Sequence, residues 1–308
     1  MRDIPKMSRV LITGGSGLIG QQLCEKLLNR GYEVAILSRN SGPDSKTAHH
    51  RWNIEDNEID REAINNYDYI IHLAGVNMGG KRWTKKRKRN IYDSRIKSAD
   101  LLFNNIDRHQ SKLKAFISAS AIGYYGACTS DQIFNETDPP ASDFVGHICE
   151  QWELAADRFN EIGIRTVKLR TGIVLTNQGG VLSKFKIPVQ LGIGSAIGHG
   201  RQYIPWIHMD DLCDIYIQAL ENQTMAGAFN AVAPEHITNK AFTSKMASVL
   251  HKPFWFPNIP AFIMNLLFGE MSVMLLAGSR VSSEKIEATG YTFQYPDLDG
   301  ALNEIYAG

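Results

Sequence analysis

Three glycines, Gly14, Gly17 and Gly20, recur at three-residue spacing in the stretch Val10-Leu-Ile-Thr-Gly-Gly-Ser-Gly-Leu-Ile-Gly20. They stand between a short apolar run and a segment, Leu18 to Arg30, whose pattern predicts an amphipathic helix. This is one of the glycine patterns by which strand–turn–helix units hold a dinucleotide pyrophosphate. The first glycine permits the tight turn, the second lets the backbone approach the phosphates, and the third lets the helix pack against its strand. The helix start then points free N–H groups and a positive dipole end at the anion. On this reading Gly14, Gly15, Ser16, Gly17, Leu18 and Ile19 form a phosphate cradle. The bland alternative is a plain turn in an α/β domain.

Further along, residues that could do chemistry fall at the ends of predicted strands. A second strand, Glu33 to Ser38, is followed by Ser38-Arg39-Asn40. An acidic residue there would bond the ribose hydroxyls and repel a 2′-phosphate. A hydroxyl and a guanidinium suit NADP instead, unless Arg39 is only a solvated loop arginine. Tyr69 to Leu73 predicts a strand with a small-residue exit, so Leu73, Ala74 and Gly75 are places where a dinucleotide can cross the sheet edge. Ala115 to Ser120 predicts another, with Ser118 and Ser120 at its end, beside the nicotinamide position of this architecture. Ser118 reads equally as a small packing residue, and Ser120 is the better substrate-facing hydroxyl. Tyr124 and Tyr125 lie in a Gly-flanked loop, so at least one is expected to reach the cleft. Arg170-Thr171-Gly172 leaves the strand Arg165 to Leu169 and turns back toward the cofactor. His208 ends a short strand and reads as a catalytic group or as a buried structural histidine. Asp210 and Asp211 read as helix-start residues stabilised by the dipole.

These positions require an α/β, doubly wound parallel sheet. Arg51 to Asn53 predicts a third strand and Glu58 to Asn66 a short helix, after a turn-rich loop at Ser41 to Lys46. A long helix, Thr84 to Asn105, is capped by Thr84. Val145 to Glu161 predicts a helix with Trp152 and Leu154 facing the core. Composition shifts to Gly-rich loops from Asn177 onward. Thr238 caps a helix to Leu250, and Ile259 to Ala277 reads as an amphipathic helix pair. The nucleotide-binding domain is expected over residues 8–175, completed by about 206–232, with a smaller substrate-side and helical lobe from 176–205 and 233–308.

The bulk numbers narrow the function classes. With 308 residues, 44% of them hydrophobic, the chain can bury a sizeable core. Its net charge of +1 makes no general case for nucleic acid. The seven basic residues from Lys81 to Arg89 read either as an acidic-partner or nucleic-acid surface, as the solvated start of a helix, or as one or two cations facing cofactor phosphates. Cys24, Cys128, Cys149 and Cys213 are far apart, which suits a reducing compartment and no metal. Met1 to Ser8 has no apolar signal region and Ile259 to Ala277 is broken by polar residues, so a cytoplasmic protein without a membrane partner is expected.

Several short stretches, taken together, resemble a known group: Leu-Ala-Gly-Val-Asn77, Arg82-Trp83, Ser94-Arg95, Ala-Ile-Gly-Tyr-Tyr-Gly126, Asp143-Phe144, Trp152-Glu153 and Pro205-Trp-Ile-His208. The chain resembles the extended short-chain dehydrogenase/reductase superfamily of the nucleoside-sugar epimerase type. Within it, the chain is similar to an atypical subgroup labelled "epimerase family protein", with a distinct C-terminal helical domain. The resemblance implies a Rossmann domain, NADP(H) binding and a substrate cleft between the lobes. It also implies that Arg89, Asn90 and Ser94 lie on the cofactor side.

One departure is as informative as the match. Typical members act through Tyr-x-x-x-Lys, and none of the eleven tyrosines here has Lys four residues later. Where the motif belongs, the chain reads Asp143-Phe-Val-Gly-His-Ile-Cys-Glu150. An unassisted phenol, with a pKa near about 10, is a poor base at neutral pH. Two readings follow. The first is an NADP-dependent oxidoreductase or epimerase-like enzyme acting on an unknown carbonyl or sugar-type small molecule, with Ser120, Tyr125 (or Tyr124) and His208 or His147 around the reaction. The second is a non-catalytic NADPH sensor or scaffold. A monomer or homodimer, without nucleic acid, fits either.

Overall fold

The computed structural model describes residues 8–39, 47–79, 81–106 and 112–306. The N-terminal residues 1–7, Asn40 and the expected loop Ser41 to Lys46 lie outside it. The elements run β1 (Arg9–Thr13), α1 (Leu18–Asn29), β2 (Glu33–Ser38), β3 (Ala48–Asn53), β4 (Glu58–Ile59), α2 (Arg61–Asn65), β5 (Tyr69–His72) and α3 (Lys85–Asn104). Then come β6 (Ala115–Ala121), a 3-10 turn (Ile122–Tyr125), β7 (Ile133–Phe134), α4 (Phe144–Glu161), β8 (Arg165–Thr171), β9 (Ile173–Leu175), α5 (Gly180–Gln190), β10 (Trp206–His208) and α6 (Met209–Glu221). The chain closes with β11 (Gly227–Ala231), α7 (Asn239–Val249), α8 (Ala261–Phe268), a 3-10 turn (Gly269–Ser272), α9 (Val273–Leu276), β12 (Arg280–Val281), α10 (Glu284–Glu287) and α11 (Leu298–Tyr306).

Eight strands form one sheet in the order β11-β8-β6-β5-β1-β2-β3-β4. All neighbours are parallel except β3 and β4. Because side chains alternate along a strand, one face of β1 gives Val10 and Ile12 to a core with α1 and α6, while Leu11 joins a second core with α3 and α4. Burial on both faces explains why these strands read as continuous apolar runs. Strand order reverses at β1, which pairs with β2 on one side and β5 on the other. The crevice beyond that reversal is where open α/β sheets bind ligands. A third core gathers Leu182 of α5, Trp206, Phe242 and Met246 of α7, and Leu302 and Ile305 of α11.

Several expectations are corrected. The short helix drawn over Glu58 to Asn66 begins as β4, because Glu58 and Ile59 pair back onto β3, and only Arg61–Asn65 is helical. Leu154 does not face the core but is 52% exposed. It lies two residues from Trp152, which at about 100° per residue is the opposite side of α4. The Gly-rich region after Asn177 contains the helix α5. Thr84 and Thr238 do cap α3 and α7, accepting from Arg87 N and Ala241 N.

Asp211 does more than start α6. It is fully buried and its carboxylate accepts from the Tyr291 hydroxyl (2.7 Å), Gln294 N (2.8 Å) and Tyr295 N (3.0 Å), tying the segment before α11 onto the sheet domain. Asp210 meets Lys26 of α1 at 2.9 Å. No helix among the described residues is long and apolar enough to cross a membrane. Replacing Asp211 by Ala strands three donors in the interior, so a loss of about 2–4 kcal/mol is expected in urea unfolding.

Candidate nucleotide site at the sheet reversal

The glycine turn is built by contact as much as by conformation. Gly14 adopts φ +72°, and a Cβ there would lie 3.0 Å from the backbone of both Leu73 and Ala74 at the exit of β5. At Gly20 a Cβ would come within 2.4 Å of the Gly14 carbonyl oxygen, so α1 packs directly on the turn. Gly17 is the N-cap of α1, and no side chain caps the helix. The first amides of α1 therefore face the crevice free of any side-chain acceptor, as an anion site requires. Ser16 and Gly17 are exposed, and Leu18 and Ile19 partly so. Register places Thr13 beside Leu37, so Ser38 and the exposed Arg39 stand at the level of the turn.

On the other side of β1, a polar line supports the exit of β5. Ala74 N donates to Thr13 Oγ1 (3.2 Å), which lies 2.8 Å from His72 Nδ1, while His72 Nε2 lies 3.1 Å from Ser98 Oγ. The Ser98 hydroxyl gives its proton to the carbonyl of Ser94 (2.8 Å), so it accepts from Nε2–H. Thr13 then donates to Nδ1, which assigns the tautomer of the neutral ring. Burial pushes the His72 pKa down to about 4. Ser94 Oγ accepts from Val76 N (3.0 Å), anchoring the loop after Gly75. Gly14 to Ile19, Ser38, Arg39, Leu73 to Gly75 and Ser94 thus share one edge of the sheet. Arg89 and Asn90 are exposed on the first turns of α3, and Arg89 approaches Asp93 at 3.6 Å.

The residues expected to do chemistry gather on the β6 side of that edge, where the register of Ser118 with His72 puts Ser120 level with Ala74. Ser120, Arg170 and Asn230 are register partners across β6, β8 and β11. Arg170 meets Glu153 of α4 through two hydrogen bonds, Nε to Oε1 (2.8 Å) and Nη2 to Oε2 (2.9 Å). The Ser120 hydroxyl donates to the same Oε1 (2.7 Å). The Tyr125 hydroxyl accepts from Arg170 Nη1 (2.9 Å) and donates to Asn230 Oδ1 (2.7 Å). Both hydroxyls are almost wholly buried, and burial pushes the Tyr125 phenol up to about 12. Tyr124 is partly exposed, with its ring 3.4 Å from the Arg170 guanidinium carbon. Ser118 is buried and donates to the Ala119 carbonyl (2.9 Å). Thr171 lies inside β8, and a Cβ on Gly172 would press on the Pro205 carbonyl oxygen at 2.9 Å, which assigns that glycine to packing.

His208 lies elsewhere again. It caps α6 by accepting from Asp210 N (3.2 Å) and meets Glu304 of α11 at 3.0 Å. With Gln22, Thr176 and Asn177 it lines a small polar pocket of about 170 Å³. Among the described residues β10 pairs with β9 and not with the eight-stranded sheet, and no hydrogen bond there joins His208 to Ser120 or Tyr125. His147 is exposed on α4. At the start of α4, the side chains turned toward the end of β6 are Val145 and Cys149, which a Cβ on Gly123 would meet at 2.4 and 3.5 Å. Burial holds the Cys149 thiol neutral, pushing it up to about 12. Among the described residues no group of three or more His, Cys, Asp or Glu side chains could hold a metal.

A glycine turn at a parallel-sheet reversal, followed by a helical C-terminal lobe, defines a nucleotide-binding α/β protein, and the comparisons agree. The chain belongs to the NAD dependent epimerase/dehydratase family, whose model matches residues 10–231, and residues 259–305 match a domain of unknown function, DUF1731. Among its relatives are the epimerase family proteins YfhF of Bacillus subtilis, 33% identical over 97% of this chain and 98% of that one, and SDR39U1 of Mus musculus, 34% identical over 97% and 100%. The crystal structure of human epimerase family protein SDR39U1 with NADPH superposes with a TM-score of 0.85 at 32% identity, covering 97% of this chain and 99% of that one.

Sequence reasoning missed the partners Glu153 and Arg170. The available signal was an arginine on the alternating strand run Val167-Lys-Leu-Arg170, which calls for a counter-charge if the strand is buried. Glu153→Ala leaves that guanidinium unpaired in the interior and is expected to cost about 3–5 kcal/mol, whereas Glu153→Leu with Arg170→Met should cost clearly less. His72 gives a pH test. Its folded pKa lies below the unfolded value of about 6.5, so the stability it contributes is present above that pH and is lost as pH falls toward 4. The loss should amount to roughly 3 kcal/mol at most, and His72→Gln should flatten that part of the stability–pH profile.

Proposed function

We propose that the chain binds NADP(H) across the sheet reversal, with the pyrophosphate on the start of α1 and the 2′-phosphate end toward Ser38 and Arg39. The observation that carries this reading is the uncapped start of α1 closed over by the Gly14 contact with Leu73 and Ala74. A cradle that a single Cβ would fill, beneath free amides, fits a pyrophosphate. The cation after β2 suits a 2′-phosphate, and the human relative was crystallised with NADPH. When bound, the cofactor supplies or accepts a hydride. Leu73, Ala74 and Gly75 would support its passage over the sheet edge, with Ser94 holding the loop that follows.

On that basis the chain is proposed to be an oxidoreductase or epimerase-like protein for a small carbonyl or sugar-type molecule held between the sheet domain and the C-terminal lobe. The proton would not come from Tyr125, whose hydroxyl is committed to Asn230. Tyr124, partly exposed beside Arg170, is the phenol nearer to solvent. A specific observation also favours a second reading, a non-catalytic NADPH sensor or scaffold: Val145 and Cys149 of α4 face the turn after β6 without an ionised group, and the carboxylate that α4 does bring to β6, Glu153, is committed to Arg170 and Ser120.

The basic run from Lys81 to Arg89 is proposed as a clamp between the lobes rather than a nucleic-acid surface. Arg82 donates to the carbonyls of Leu266 and Leu267 at the end of α8, Arg87 donates to the Asn77 carbonyl, and Lys88 pairs with Glu270. Calorimetric titration with NADPH and NADH tests the cofactor assignment. NADPH is expected to bind at least about tenfold more tightly, and Arg39→Asp should erase most of that difference while leaving NADH nearly unchanged. Equal losses for both nucleotides would remove Arg39 from the 2′-phosphate. A scan of carbonyl substrates with bound NADPH, followed at 340 nm, separates turnover from the sensor reading.

A further inference from the structure

Arg95 breaks the pattern of its helix. Along α3 the buried positions are Ile91, Arg95, Ser98, Ala99, Leu101 and Leu102, so a guanidinium stands on the stripe that faces the core. It is 7% exposed. Its Nη1 donates to the carbonyls of Val76 (3.1 Å) and Ile91 (3.1 Å), and its Nε finds no hydrogen-bond partner among the described residues. No carboxylate among the described residues pairs with it. The ionisable groups that act on it are Cys149 of α4, held neutral by burial, and a second cation, Arg87, while its guanidinium carbon lies 4.8 Å from the ring centre of Trp152. Burial lowers the Arg95 pKa only to about 10, so the charge persists at neutral pH.

The place of this charge matters. A Cβ on Gly75 would lie 3.2–3.4 Å from the guanidinium atoms, so Arg95 sits directly under the exit of β5. If the adenosine end of the cofactor lies toward β2 and Arg39, the other half crosses β1 toward the neighbouring ends of β5 and β6, past Gly75. Buried cations are normally compensated, because leaving water costs more than a few carbonyl contacts return. Here the compensation by carbonyls is partial, and the residual positive potential acts through a water-poor layer of backbone. An oxidised nicotinamide ring carries a positive charge and a reduced one is neutral, so a fixed cation at that site repels only the oxidised form.

We infer that Arg95 is a specificity-determining residue that makes this site select NADPH over NADP⁺. The inference rests on the proposed NADP(H) binding and deepens it: the protein reads the reduced state of the cofactor, and α3 rather than α4 supplies the positive charge of the site. The comparison is internally controlled. Both nucleotides carry the same pyrophosphate and 2′-phosphate, so those contributions cancel in the ratio of their dissociation constants.

The test is the ratio Kd(NADP⁺)/Kd(NADPH), measured by calorimetry on the full-length protein, wild type and the variants Arg95→Met and Arg95→Lys. Met keeps an apolar stem over Trp152 and removes the charge, and Lys keeps the charge. The wild-type ratio is expected to exceed one, to fall about fivefold in Arg95→Met, and to be largely retained in Arg95→Lys. A purely structural role would weaken both nucleotides together and leave the ratio in place, which would overturn the inference. Equal wild-type affinities for the two forms would overturn it without any variant, even if Arg95→Met failed to fold. Failure of the wild-type protein to bind either nucleotide would instead overturn the proposed function on which it rests.

Discussion

The contact between the Gly14 turn and the exit of β5 constrains everything around it. Two chain segments 60 residues apart meet so closely that a methyl group on Gly14 would press on the Leu73 and Ala74 backbone at 3.0 Å. The same closeness sends α1 off at the angle that aims its uncapped amides into the crevice. Beneath it, the line Ala74, Thr13, His72 and Ser98 connects the ends of both strands to α3 by hydrogen bonds that a neutral, fully buried imidazole completes. The proposed nucleotide site is therefore assembled from backbone held at close range, with side chains serving mainly to fix that backbone.

A second constraint explains why the chemistry-bearing residues are not where their types suggest. Once an arginine is placed at position 170 inside a central strand, its charge must be matched in the interior. Glu153 supplies the match, and Ser120, Tyr125 and Asn230 complete the hydrogen bonds left over. Burial opposes the charge on Arg170, but the hydrogen bonds and opposite charge of Glu153 outweigh it and hold the guanidinium protonated. A serine at a strand end and a tyrosine in the Gly-flanked turn after it, both expected to face substrate, are thus hydrogen-bonded to a buried ion pair. Such a network joins β6, β8, β11 and α4 into one unit and costs the site two free hydroxyls.

What was legible from residue order alone came from local physics. Apolar runs of strand length, the glycine spacing and the caps Thr84 and Thr238 each depend on neighbours a few residues away, and each is found in the structure. The errors share a cause too. Leu154 was placed inward by residue type although its angular position on α4 points outward, and Glu58 and Ile59 took their conformation from pairing with β3 rather than from their own pattern. Arg95 carried a readable signal, a cation on an apolar stripe, but nothing local said what lay above it.

By itself, then, the sequence determined the glycine spacing between a strand and a helix, the cation after β2 and the absence of the Tyr-x-x-x-Lys pair, because these are matters of spacing and identity along the chain. Only the tertiary structure decided which polar groups remain available. Ser120 is consumed by Glu153 and Tyr125 by Arg170 and Asn230, His208 stands on a strand pair outside the main sheet, and Arg95 is left without a counter-charge among the described residues, beside Gly75. The physical reason is that a hydrogen bond or an ion pair in a buried layer is settled by whichever partners the packing brings within about 3 Å, and those partners lie tens of residues apart in the chain.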